Sequence, residues 1–315
     1  MAREISKRRT RSDGRPKRTA RGGVAEIASL LAIASVLAGG ANAKSVVSLS
    51  PDTTINLGGA GLTTADQNVV VDNQLGILQL EDLGPLPGPV DVVAYSLDLG
   101  GERLFALDTT TLLPGDVVAR RGDVVRYDGT IYSIEFDALS ASVQPGVVTD
   151  AVSITAGGLL LSFDTSVALP GITVADEDLV RWDGSSYTLA LDGSNVGLTT
   201  ALDVDAAQDL GGGIFLLSFD TAGEVDGIPF SDEDVLRFDG VTWSIELDAS
   251  GADPDWATTD LDAFMVPEPS FAISLAIGIL GLLTTGARWS QSAVPGHAPD
   301  PGAPHAPTPR DHARR

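Results

Sequence analysis

The chain has 315 residues, with 20 Lys/Arg against 43 Asp/Glu, a net charge of −23 and no cysteine. Without thiols it has no thiolate nucleophile, iron–sulfur cluster or zinc–thiolate site. Its three histidines are His297, His305 and His312, so residues 44–266 contain neither a Ser-His-Asp triad nor a His-ligated metal.

The charge is unevenly placed. Only seven of the 20 Lys/Arg lie between residues 44 and 266, against 37 of the 43 Asp/Glu, while both ends are basic. So acidic a body repels nucleic acid, which carries charge of the same sign, and attracts divalent cations or basic partners. With 43% hydrophobic residues, a body of this length buries a core without disulfides.

The N-terminal 26 residues are basic, and an apolar run from Ile27 to Ala38 follows, ending in Gly39-Gly40-Ala41-Asn42-Ala43. This order reads as a signal peptide over residues 1–43, cleaved after Ala43. The run is too short to cross a bilayer comfortably. Arg8-Arg9 lacks the apolar residues that would follow a twin-arginine signal.

Residues 44–89 hold strand-like runs around Val69-Val70-Val71 and Ile77-Leu78-Gln79-Leu80. From there to residue 266 the chain repeats. Leu160-Leu161-Ser162-Phe163-Asp164-Thr165 returns 56 residues later as Leu216-Leu217-Ser218-Phe219-Asp220-Thr221. At the same offset, Asp176-Glu177-Asp178-Leu179-Val180-Arg181-Trp182-Asp183-Gly184 returns as Asp232-Glu233-Asp234-Val235-Leu236-Arg237-Phe238-Asp239-Gly240. A looser copy runs from Phe105-Ala106-Leu107-Asp108-Thr109 to Asp123-Val124-Val125-Arg126-Tyr127-Asp128-Gly129.

Each copy predicts four strands, as at Asp150–Ile154, Leu159–Phe163, Leu179–Trp182 and Tyr187–Leu191. Asp-Gly between the last two predicts a hairpin with a type I′ turn. No window shows a helical period. The fold class expected is all-β, with repeats of about 56 residues, four strands each and a propeller-like arrangement. Three copies are few for a propeller, and a fourth sheet assembled from both flanks would close the ring. A three-sheet prism or stacked sandwich is the alternative.

One constellation invites chemistry. Asp176 and Asp178, with their counterparts Asp232 and Asp234, place carboxylates on a loop, and calcium is bound by such oxygens. The chain has no EF-hand loop. The plainer account is that these acids cap strand starts and keep the edge soluble. Arg126, Arg181 and Arg237 recur before an aromatic residue and predict ion pairs within each copy. The aromatics Tyr127, Tyr132, Trp182, Tyr187, Phe238 and Trp243 read as packing residues, with stacking on sugars as the alternative. A hydrolase would need one matched carboxylate pair, and repetition argues against a unique site, so the expectation is a protein that is not an enzyme and needs no cofactor beyond a calcium ion.

The C-terminal stretch reads as an address. Val266-Pro267-Glu268-Pro269-Ser270 precedes 17 uncharged residues, Phe271 to Ala287, ended by Arg288, and 17 is the lower limit for a transmembrane helix. This order resembles the PEP-CTERM sorting signal, whose motif here is Pro267, Glu268 and Pro269. The resemblance covers residues 266–288, and the repeat is also similar to a block found in proteins carrying that signal. It implies export, a membrane stage through the C-terminal helix, an exosortase-type protease as partner, and release to the cell surface or extracellular matrix. A Pro/Ala-rich tail over 289–315 departs from the family, whose chains stop soon after the helix, and has the composition of a disordered segment. The role expected is a structural or binding module in the extracellular polysaccharide layer. The alternatives are a calcium-stabilised carbohydrate-binding module and a carboxylate-based glycan hydrolase.

Overall fold

The computed structural model describes residues 47–59, 61–73, 77–88 and 90–266. The cleavage site at Ala43, the motif Pro267-Glu268-Pro269, the apolar run to Ala287 and the 289–315 tail lie outside them. Among the described residues no helix is long and apolar enough to cross a membrane.

A strand buried on both faces needs an unbroken apolar run, whereas one with a wet face alternates. Leu159-Leu160-Leu161 is of the first kind. Leu159 and Leu161 pack toward one neighbouring sheet and Leu160 toward the other. Tyr187–Leu191 is of the second kind, buried at its ends and exposed or half-buried between. Their alternation yields small antiparallel sheets stacked face to face.

There are four such sheets, or blades. Blade 1 contains β1 (Val47–Pro51), a side hairpin of β2 (Ile55–Leu57) and β3 (Leu62–Thr64), then β4 (Val70–Asp72) and β5 (Leu78–Leu80). Blade 2 has β6 (Val92–Leu97), β7 (Arg103–Leu107), the hairpin β8 (Thr111–Leu113) and β9 (Val117–Ala119), β10 (Val124–Tyr127) and β11 (Tyr132–Phe136). Blade 3 repeats this with β12 (Ala151–Thr155), β13 (Gly158–Ser162), β14 (Val167–Leu169), β15 (Ile172–Val174), β16 (Leu179–Trp182) and β17 (Tyr187–Leu191). Blade 4 has β18 (Ala206–Gly211), β19 (Ile214–Ser218), β20 (Gly223–Val225), β21 (Ile228–Phe230), β22 (Val235–Phe238) and β23 (Trp243–Leu247).

The last strand, β24 (Leu261–Met265), does not start a new sheet. It pairs antiparallel with β1, Leu49 opposite Phe264, and gives blade 1 the order β24-β1-β4-β5. Strands β24, β6, β12 and β18 are thus the innermost of their blades and lie side by side around one axis. The described residues form a four-bladed β-propeller closed by the pairing of their first and last strands. Its core is divided into four slabs, one between each pair of neighbouring blades.

The repeated motif residues hold the blades together. Ser162 Oγ donates to the Val204 carbonyl of the next blade, and Ser218 Oγ to that of Leu261. Phe163 and Phe219 are fully buried between blades. The outer hairpins of blades 2, 3 and 4 each carry a ring pair: Tyr127–Tyr132 at 4.7 Å, Trp182–Tyr187 at 4.5 Å and Phe238–Trp243 at 4.9 Å. The second member of each reaches back to the preceding blade, since Tyr132, Tyr187 and Trp243 donate to the carbonyls of Leu83, Ala141 and Val196. Their faces are spent on packing.

Three expectations are corrected. The Asp-Gly hairpins stand where predicted, but each loop has four residues, because Trp182 pairs with Tyr187. Only the glycine has positive φ, 93° at Gly184, and Asp183 Oδ1 instead accepts the amides of Ser185 and Ser186. A type I′ turn occurs in the side hairpin, at Asp226-Gly227 with φ 51° and 77°. Those side hairpins make six strands per copy where four were expected. One short helix, Ala249–Ala252, also forms, capped by Asp248, whose carboxylate accepts the Gly251 amide.

Phe264 is only 2% exposed and packs where the closing strand meets blade 4. Phe264→Ala should lower unfolding stability by about 3–5 kcal/mol, measured by urea denaturation.

Candidate functional site

The four inner strands run in the same direction, and their starts gather at one end of the axis. Strand pairing fixes which residues correspond there. Ala94, Ala151, Ala206 and Ala263 occupy one level, opposite Ala106, Ser162, Ser218 and Ser50. One residue earlier stand Val93, Asp150, Asp205 and Asp262. Two residues before those stand Asp91, Val148, Asp203 and Asp260. The loop after each second strand adds Asp52, Asp108, Asp164 and Asp220, and the turn before each third strand adds Asp66, Arg121, Asp176 and Asp232.

Among the described residues this mouth thus collects thirteen aspartates and a single cation, Arg121. Their charges reach one another across blades. Asp150 of blade 3 is repelled by Asp262 of blade 1 on the far side of the axis, and Asp205 of blade 4 by both. Asp91 feels Asp66, Asp108 and Asp52, while Asp203 feels Asp176, Asp220 and Asp164. Asp260 feels Asp232, Asp52 and Asp220. Arg121 acts on Asp150 in the opposite sense.

The outer ring has a structural duty. Asp108 Oδ1 accepts the Asp91 amide, Asp164 that of Val148, Asp220 that of Asp203 and Asp52 that of Asp260, at 2.9–3.1 Å. In return each of these loop amides donates to the carbonyl of the residue it holds. These reciprocal pairs pin the starts of all four inner strands, and so fix the inner aspartates around the axis.

The inner aspartates are left with little. Asp150 is 9% exposed. Buried oxygens without a hydrogen-bond partner include Asp91 Oδ1, Asp150 Oδ2, Asp203 Oδ1 and Asp205 Oδ2. Burial first, and neighbouring carboxylates second, push Asp150 and Asp205 well above the usual carboxylate range. The same causes raise Asp203 and Asp260 to about 7. Asp91 rises to about 7 and Asp262 to about 9, and the Asp262 carboxyl hydrogen-bonds to Asp91, so the pair shares a proton. The inner aspartates therefore hold protons at low pH, and negative charge builds up in the mouth as pH rises through about 7 to 9.

The four acids singled out from the sequence divide into two kinds. Asp178 faces inward, its carboxylate accepting the amides of Ala175 and Gly193 at 2.9 Å. Asp234 does the same for Ser231, as Asp123 does for Arg120 and Ala138 in blade 2. Asp176 and Asp232 instead belong to the rim of the mouth. Among the described residues no three carboxylates converge closely enough to grip one ion directly as they stand.

At the opposite end the arginines pair with carboxylates, although Arg181 Nε is buried without a partner and its ion pair crosses to blade 4 instead of staying within its copy as expected. Arg126 pairs with Asp98, Glu102 and Glu135 at 2.6–2.7 Å, Arg103 with Glu81 at 2.6 Å, Arg181 with Asp209, and Arg237 with Glu246 at 4.0 Å. A cleft of about 570 Å³ lies there between blades 3 and 4, lined by Arg181, Asp209, Phe215 and the Gly211–Gly213 turn. Its two charged groups neutralise each other, whereas the mouth gathers carboxylates with little to offset them.

No known family model matches the sequence, and no curated protein matches it either. Among solved structures the chain is similar to YCF48 bound to D1 peptide, with 6% identity, a TM-score of 0.28, and 64% of this chain and 68% of that one covered. It is also similar to virginiamycin B lyase from Staphylococcus aureus, with 8% identity, a TM-score of 0.31, and coverage of 64% and 88%. At such scores neither likeness bears on function, and the propeller assignment rests on the strand pairing.

The raised carboxyls set a pH dependence. Their unfolded value is 3.8 and their folded values are about 7 to 9, so the folded state holds more protons between those limits. Stability is therefore greatest near the low end and falls as pH rises through the folded values. Asp183, lowered to about 2, acts in the opposite sense but only below pH 4. In chelator, the melting temperature should be higher at pH 5 than at pH 8, as scanning calorimetry would register.

Proposed function

We propose that the chain is an exported binding module, held at the envelope by its C-terminal sorting signal and presenting the acidic mouth outward into the polysaccharide layer. The observation that carries this reading is the opposition of mouth and chain exit. Strand β24 begins beside Asp260 and Asp262 and ends at Met265, and β1 begins opposite it, with Ser48 paired to Met265. The first and last described residues, Val47 and Val266, therefore lie at the face opposite the aspartates. The Gln208 side chain fixes that exit, donating to the Val266 carbonyl at 2.7 Å and accepting its amide at 2.8 Å.

That face also carries the apolar tips Leu99, Ile131 and Val241, at 84%, 62% and 84% exposure. Binding rather than turnover is the role favoured, because the ring repeats one carboxylate environment around the axis. The ligand class is cationic, since thirteen aspartates against Arg121 leave the mouth no complement for an anion.

Two measurements test the reading. In cells, Glu268→Ala should accumulate as an uncleaved, membrane-bound form, and normal processing would count against the sorting claim. In solution, the full-length chain should bind a lysine oligomer with an affinity that falls as salt rises. Asp176→Asn with Asp232→Asn should weaken that binding about threefold or more, and salt-insensitive binding untouched by the double variant would count against the mouth.

A further inference from the structure

We infer that Asp150, Asp205 and Asp262, the deepest ring of the mouth, hold one divalent cation on the propeller axis, and that calcium is the ion their chemistry suits. The inference rests on the acidic mouth being the ligand-binding face, and names what occupies its floor.

Three observations carry it. Asp150 is nine-tenths buried, and its Oδ2 has no hydrogen-bond partner. Its charge meets that of Asp262, which stands before the inner strand of blade 1 on the opposite side of the ring. Asp205, between them in blade 4, has a buried, unpartnered Oδ2 of its own and meets both. A carboxylate out of water and without a partner is strongly unfavourable, and a cation held by Asp150 and Asp205 together with Asp262 removes that penalty and their mutual repulsion.

Two residues nearer the solvent, Asp91 and Asp203 repeat the pattern, each with one buried, unpartnered oxygen. Of the eight such side-chain atoms among the described residues, four belong to these mouth aspartates. The shortage of partners is thus concentrated at one place.

The donor set selects the ion. Residues 44–266 contain no histidine, and the chain no cysteine, so every side-chain donor here is oxygen. That excludes the usual ligands of zinc and copper and suits a hard cation. Calcium accepts six to eight oxygens in irregular geometry and tolerates water among them, whereas magnesium demands a near-ideal octahedron. Three aspartates from three blades, with Val93 at the fourth position, make an uneven ring of that permissive kind. Because the carboxylates do not already converge, the ion keeps part of its water shell or draws the side chains inward. Arg121, close to Asp150, is the one charge it must oppose.

The test titrates calcium chloride into the full-length chain, after chelation and near neutral pH, by calorimetry and thermal denaturation. One equivalent should bind, the melting temperature should rise by several degrees, and magnesium at equal concentration should do much less. Asp150→Asn with Asp205→Asn should weaken calcium binding about tenfold or more, since ligand charge sets affinity in such sites. Without calcium, the same double variant should melt at or above the wild-type temperature, because repulsion has been removed; lost binding is then not lost folding. Asp116→Asn, on an exposed side-hairpin turn, should bind calcium as the wild type does.

Absence of heat and of any melting shift up to roughly 5 mM calcium, beyond the weakest extracellular sites, would overturn the inference. So would undiminished binding by the double variant. Should calcium fail while the lysine oligomer still binds, the inference falls and the acidic mouth stands; loss of both removes both.

Discussion

The pairing of β24 with β1 is the contact on which the rest of the molecule depends. It joins residues more than 200 positions apart, turns an open stack of sheets into a ring, and buries Leu49, Phe264 and Trp256 against blade 4. It also brings Asp52, Asp260 and Asp262 to the axis. Without that strand the fourth slab of core would be exposed and the mouth would lack a quarter of its wall. Long-range pairing of this kind is entropically demanding, and here it is supported from outside by the Gln208 side chain on Val266.

Within the ring, each residue of the repeated motif does one job. In Leu-Leu-Ser-Phe-Asp the leucines face different neighbours, the serine ties its blade to the next, the phenylalanine fills the slab and the aspartate holds an inner strand by its amide. In Asp-Glu-Asp the first acid is on the rim and the last is turned inward to satisfy the backbone. The symmetry is broken at Val93, Arg121 and Val148, which belong to blades 2 and 3. Blades 4 and 1 keep an aspartate at every level, so the negative potential of the mouth is lopsided toward them.

Much of this was legible in the sequence. The 56-residue offset, the Asp-Gly hairpins and the closure of a fourth sheet by both flanks all followed from pattern. The side hairpins escaped because their strands have only three residues, though Pro170-Gly171 and Asp226-Gly227 mark their turns. The turn type was misread because an aspartate that hydrogen-bonds ahead to two amides looks, as a letter, like one adopting a left-handed conformation. The mouth was hidden for a different reason. Its members lie from Asp52 to Asp262, and only the ring makes them neighbours. The visible hint was the doublet Asp203-Val204-Asp205, repeated as Asp260-Leu261-Asp262 at the start of an inner strand.

A ring closed by its two ends also has a schedule. The N-terminal strands of blade 1 are the first of the body to emerge during synthesis, yet their inner partner comes after the other three blades. Until then β1 presents an open edge, the kind of surface that invites wrong partners and chaperones. The step that ends this exposure is the arrival of Leu261–Met265, the strand that leads directly into Val266 and the segment beyond. Folding of the ring is therefore complete only when its last strand has emerged, and a chain truncated before Leu261 would be left with blade 1 open.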